Sequence, residues 1–254
     1  MKQRVVFLFL ALLVSSVLPA LSDSGVFRLV YDEPKNGDLS AALDLVRSSG
    51  VFENAVDDLN RLFALPRDVT IRFADAPDAP YYQAGEVVLG YQFIRIHAVL
   101  FNEYGYVDSP EALAASLLEV TEFALYHEVG HALIDVYDLP VLGREEDAAD
   151  HLAVLMALSL DLGDIAVVAA DALGLFAEVG EKDESAFWGE HSLNEQRMYT
   201  TLCLIYGSDP QRYAHLVVER DLPDDYEKRC VADLEEKRRS WTAVLRPYLK
   251  TDFS

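Results

Sequence analysis

Basic residues are scarce in this chain. Lys and Arg together number 21 against 43 Asp and Glu, a formal net charge of −22 at pH 7. A phosphate backbone is repelled by such a surface, so no nucleic-acid partner is expected. Anionic lipid headgroups are disfavoured for the same reason. Long apolar runs are also few. The first lies within residues 1–22, where Lys2 and Arg4 precede an apolar stretch at 5–18 and a small-x-small site at Ala20-Leu21-Ser22. This is the pattern of a secretory signal cleaved after Ser22, and the run is too short for a membrane span. A secreted or periplasmic protein with no stable membrane association after cleavage is therefore expected. The second run, residues 152–176, is broken by Asp161, Gly163, Asp164 and Asp171. Carboxylates at that density point to buried helices. Cysteine is scarcest of all, with only Cys203 and Cys230. Neither has a Cys or His at ligand spacing, which argues against a thiolate metal site. An even pair in an exported chain points to a disulfide, whose closed loop stabilises by about 3 kcal/mol on the chain-entropy account. Repeats and low-complexity tracts are missing.

Hydrophobic residues, by contrast, make up 51% of the chain, enough for a substantial core. Residues 23–254 fit one domain, with an N-terminal lobe over about 23–137 and a helical C-terminal lobe over about 138–254. Residues 26–31, 69–73 and 86–93 read as strands, the last with a bulge at Gly90. Residues 39–46 and 51–63 read as helices. His97 lies in a helical pattern and His215 in another, and both are read as structural. A helix is expected over about 194–206 with Asn194 as its N-cap and Arg197 in its first turns. A long amphipathic helix is expected over 226–249, with Pro247 fraying its last turn. The fold class is α+β, a small N-terminal sheet followed by a mainly helical part.

The chemistry concentrates at residues 121–160. His127-Glu128-Val129-Gly130-His131 is an H-E-x-x-H motif in an apolar, helix-like background that starts after Pro110. On a helix, His127 and His131 fall one turn apart on one face, where a single metal ion can take both imidazoles. Glu128 projects from the edge of that face, within reach of a water. Gly130 costs helix stability against Ala and implies a close neighbour. A catalytic zinc wants a third protein ligand and an open position. Glu145, Glu146, Asp147, Asp150 and His151 lie just downstream. Glu146 is the choice. After a turn at 138–140 and Gly143, a second helix is expected from about Glu145 to Leu160. There Glu146 and Asp150 share a face, so Glu146 can bind the metal while Asp150 accepts the free N–H of a ligand histidine. Ala148, Ala149 and Ala153 are small enough to let the two helices approach.

His127-Glu-x-x-His131 followed by Glu146-x-x-x-Asp150 resembles the gluzincin branch of the zincin metallopeptidases, and the whole chain is most similar to a group of secreted bacterial proteins of that type. The specific likeness covers residues 121–160. A weaker one extends from residue 23 to 188–197 and the C-terminal helix. The resemblance implies a zincin-like fold, Zn2+ on His127, His131 and Glu146, Glu128 as general base, and a peptide or protein substrate. It also implies an oxyanion-stabilising histidine from the C-terminal lobe, for which His191 is the matching position. A strand at 86–91 would border the cleft and pair with an extended peptide. Asp135 falls where many gluzincins carry an Asp. The link from His131 to Glu146 is shorter than in thermolysin-like enzymes and lacks their catalytic tyrosine. A non-catalytic zincin-fold protein that binds a metal or a partner is the alternative.

Overall fold

The computed structural model describes residues 25–76, 78–180, 187–218 and 226–251. Residues 1–22, read above as a secretory signal, lie outside them. The fold is mixed α+β, with a four-stranded sheet at the N-terminal side and helices beyond it.

The sheet holds β1 (Phe27–Tyr31), β2 (Val69–Ala74), β3 (Tyr81–Gln83) and β4 (Glu86–Gly90) in the order β1-β2-β4-β3. The first three in that order run parallel, with Ile71 opposite Leu29 and Val87, and β3 is antiparallel to β4. Val69, Ile71 and Phe73 alternate inward along β2, as a half-buried strand requires. Two expectations need correction. The strand at 86–93 ends at Gly90, and Tyr91 begins a helix. The Tyr91 hydroxyl donates to the carbonyls of Asp32 and Phe73, which seats that helix start in the core. Moreover, β4 has neighbours on both sides, so it offers no free edge to a peptide. The edge strands are β1 and β3, and β3 is the one beside β4.

Helices α1 (Ser40–Ser49) and α2 (Val51–Leu62) join at Gly50, whose φ of 71° terminates α1. Helix α3 (Tyr91–Glu103) leads to α4 (Pro110–Tyr137), a 28-residue rod about 42 Å long. Ser109 caps α4 by accepting from the Ala112 N–H, and Pro110 takes the first-turn position. Asp138, in the left-handed region, ends it. α4 is buried nearly all round because it carries the sheet on one side and α5 (Glu145–Ser159) and α6 (Gly163–Val179) on the other. The close neighbour of Gly130 is Ala149: a Cβ on residue 130 would come within 3.1 Å of the Ala149 Cα. Glycine therefore sets the separation of α4 and α5 at the height of the histidines.

Helices α7 (Asn194–Ser208), α8 (Ala214–Val218) and α9 (Tyr226–Leu245) complete the chain. The N-cap of α7 is Leu193, one residue before the expected Asn194. Asn194 is already the first residue inside the helix, and Gln196 one turn on reaches back to accept from the Leu193 N–H. Cys203 and Cys230 form a disulfide between α7 and α9. α9 ends at Leu245 instead of 249. Pro247 has no N–H to continue the ladder, so Arg246–Tyr248 close as a 3-10 turn. Tyr248 stacks on Tyr137 at 3.9 Å, and its carbonyl accepts from the Ala64 N–H, tying this end back to the first lobe.

Candidate metal centre

His127 and His131 rise one turn apart from α4, and Glu146 faces them from the first turn of α5. His127 Nε2 lies 3.1 Å from Glu146 Oε2 and 3.2 Å from His131 Nε2, and His131 Nε2 lies 3.5 Å from Glu146 Oε2. A tetrahedral zinc with ligand bonds near 2.1 Å has ligand atoms roughly 3.4 Å apart. The triangle has that edge. The other ring nitrogens are occupied. His127 Nδ1 lies 2.8 Å from Asp150 Oδ1, and His131 Nδ1 lies 2.9 Å from Glu145 Oε1. Carboxylates only accept, so each Nδ1 carries its proton, and Nε2, turned toward the shared point, is the atom left to ligate a metal. The donor set therefore fits a zinc ion.

Asp150 is buried and held from both sides. Arg197 grips it in a two-pronged ion pair, Nε to Oδ2 at 2.7 Å and Nη2 to Oδ1 at 2.8 Å. Burial alone would raise its carboxyl. Arg197 and His127 outweigh that and hold it well below the usual range. Burial works against a charge on His127, yet the hydrogen bonds to Asp150 and Glu146 raise it to about 9 without a metal. Glu146 is lowered for the matching reason: its three histidine neighbours overcome burial. Glu128 differs from all of these. It is buried, has no hydrogen-bond partner among the described residues, and is raised by burial against the pull of His127 and His131.

His191 comes from the segment before α7. Its Nε2 lies 2.7 Å from Glu146 Oε2, a hydrogen-bond length shorter than a tetrahedral edge. His127, Glu146 and His191 also form a group whose ligand atoms all lie within 4.8 Å of one another. Both rings of the His131 triangle are oriented by carboxylates, whereas His191 is half exposed and tethered by its backbone carbonyl to Arg144. Two cavities meet here. One of about 680 Å³ runs past Tyr81, Tyr82, Glu146 and Trp188, and another of about 260 Å³ runs between α3, α4 and α6. Glu128 and His191 line both.

The remaining sequence candidates separate clearly. Glu145 reaches His131, and Asp147 accepts from the Ser192 hydroxyl. His151 lines a different cavity, beside Thr200 and Gln196. Asp135 is away from the histidines, paired with Arg67 and Tyr82, and so fastens α4 to the edge strand. Arg197 was placed on a helix but given no part in the site. A signal was present: Arg197, Thr201 and Leu204 fall on one helical face, and the latter two are buried. A charge on a buried face needs a partner.

A family described as "Putative metallopeptidase" matches residues 31–245. The chain belongs to this family. No curated protein and no solved structure matches it. The match spans all the side chains of this site, and membership of a metallopeptidase family brings with it a metal cofactor and a peptide or protein substrate.

Proposed function

We propose that this chain is an exported, single-domain zinc peptidase in which His127, His131 and Glu146 hold the metal. The carrying observation is the triangle of Nε2, Nε2 and Oε2 atoms with edges of 3.1, 3.2 and 3.5 Å, each imidazole backed by its own carboxylate. When bound, zinc supplies a Lewis acid and lowers the pKa of a bound water to about 7.

The protein's side chains do the rest. Glu128 accepts a proton from the attacking water and passes it to the leaving amine. Its burial and lack of a partner support that role, since burial raises its carboxyl above the ordinary carboxylate range and makes it a stronger base. Asp150, clamped by Arg197, and Glu145 hold the two imidazoles in one tautomer and one direction. His191 faces the same space and donates to the oxyanion of the tetrahedral intermediate. A peptide lying in the larger cavity would add to β3, the edge strand whose Tyr81 and Tyr82 line it. The Cys203–Cys230 disulfide supports export. Among the described residues no helix is long and apolar enough to cross a membrane.

Glu128→Gln tests the assignment. The variant keeps about one zinc per chain and loses turnover of a peptide library by about 10²-fold or more. Hydrolysis at the wild-type rate would remove Glu128 as the base. Absence of stoichiometric metal in the wild type, after reconstitution, would remove the peptidase.

A further inference from the structure

The smaller cavity is lined by a histidine that the proposed chemistry does not use. Its walls are mostly apolar, with Phe93 of α3, Val120 and Phe123 of α4, and Leu173 and Phe176 of α6, and Asn194 and Arg197 add polar groups. His97 belongs to the same wall and is only 4% exposed. Three phenyl rings surround its imidazole: Phe93 at 4.1 Å, Phe176 at 5.2 Å and Phe101 at 5.9 Å between ring centres. Its Nδ1 lies 2.9 Å from the Phe93 carbonyl of its own helix. A carbonyl only accepts, so Nδ1 carries the proton. Burial lowers the ring's pKa to about 4, and the imidazole is neutral at pH 7. Nε2 is then a bare acceptor on the side of the ring turned away from the α3 backbone, with no partner among the described residues.

A buried acceptor without a partner is uncommon and points to a missing donor. The required donor follows from the walls. They admit a flat apolar body, and the hydrogen-bonding atom must sit at its far tip. Ionised carboxylates bring no donor, and an ammonium or guanidinium group would have to leave water for a place among the Phe93, Phe101 and Phe176 rings. A phenol satisfies both demands. The cavity also touches His127, Glu128 and His191, so its occupant sits next to the reacting bond.

We propose that this cavity receives the side chain of the residue flanking the cleaved peptide bond, and that His97 selects tyrosine there by accepting a hydrogen bond from the phenol at Nε2. This rests on the peptidase assignment above. His97 thereby becomes a specificity-determining residue.

The test uses the zinc-loaded full chain and peptides that differ only as Tyr, Phe, Trp, Leu or Ala on either side of the cleaved bond. Tyrosine is expected to exceed phenylalanine in kcat/KM by about tenfold or more, the size of one buried hydrogen bond. In His97→Leu that ratio falls to near one. A wild-type ratio near one, or a ratio that survives in His97→Leu, overturns the proposal while leaving the peptidase intact. If no peptide is cleaved, binding of p-cresol against toluene decides. Preference for p-cresol that His97→Leu abolishes keeps the pocket and rejects the peptidase, and equal binding rejects the pocket. Should His97→Leu not fold, Ala172→Phe fills the cavity from α6 and shifts preference away from aromatic residues. An unchanged profile in that variant also overturns the proposal.

Discussion

Replacing Arg197 with alanine separates a site support from an ordinary core ion pair. Arg197 makes two charge-assisted hydrogen bonds to Asp150, at 2.7 and 2.8 Å, and the Asp150 side chain is only 7% exposed. Removing one partner of a buried pair leaves the other charge without compensation, at a cost of about 3–5 kcal/mol. Asp150 can relieve that cost by taking up a proton. It then competes with the His127 Nδ1 proton instead of accepting it, and the imidazole loses the partner that fixes its tautomer. Loss of such an outer hydrogen bond typically weakens metal binding by about 10–100-fold. The expected result is therefore double: a lower unfolding free energy of the metal-free protein, and weaker zinc binding in competition with a chromophoric chelator. Arg197→Lys keeps the charge without the fork and should fall between. Unchanged zinc affinity, with or without a loss of stability, would refute the chain of contacts from Arg197 through Asp150 to His127.

Three further outcomes follow from the packing. Burial raises Glu122 to about 7 from an ordinary 4.5; below pH 4.5 the carboxyl is protonated in both states, and between 4.5 and 7 the unfolded chain ionises first. Stability should thus fall across that window, by at most about 3 kcal/mol, and Glu122→Gln should remove the slope in chemical denaturation at pH 4 to 8. Gly130→Ala sets about 1 kcal/mol of helix propensity against 1–3 kcal/mol of overpacking at the Ala149 backbone. Net loss of thermal stability together with weaker zinc binding is expected, since the ligands ride on both helices; a stabilised variant would refute it. Reducing Cys203–Cys230, which closes a 27-residue separation, should destabilise by about 3.5 kcal/mol in denaturant titrations, leaving zinc content unchanged in the folded protein.

Much was legible before any fold because it depends on spacing within one helix. Four residues make one turn, so His127 and His131 share a face wherever α4 lies, and Glu146 and Asp150 share one on α5. Ser109 and Pro110 announce the start of α4, and Gly130 announces a close neighbour. The α+β class and the disulfide pairing were also open to reading, the latter because two cysteines allow only one pair. Errors fell where a local pattern has two outcomes. EVVLGYQF is apolar enough to continue as a strand, and only the seat of Tyr91 under the sheet turns it into a helix at that point. The sheet order likewise follows from packing, and it puts β3 outside the strand at 86–91 that the resemblance set at the cleft.

The sequence by itself determined the side chains that α4 and α5 carry on one face each, because helical periodicity is local and owes nothing to distant residues. The tertiary structure alone decided that those faces meet at 3.1–3.5 Å, that Arg197 from α7 closes on Asp150 from 47 residues away, and that His97 lines a cavity beside Glu128. Contacts across that distance carry no periodic signal. They arise only when buried apolar faces choose their partners, and the polar groups brought along with them must then find one another.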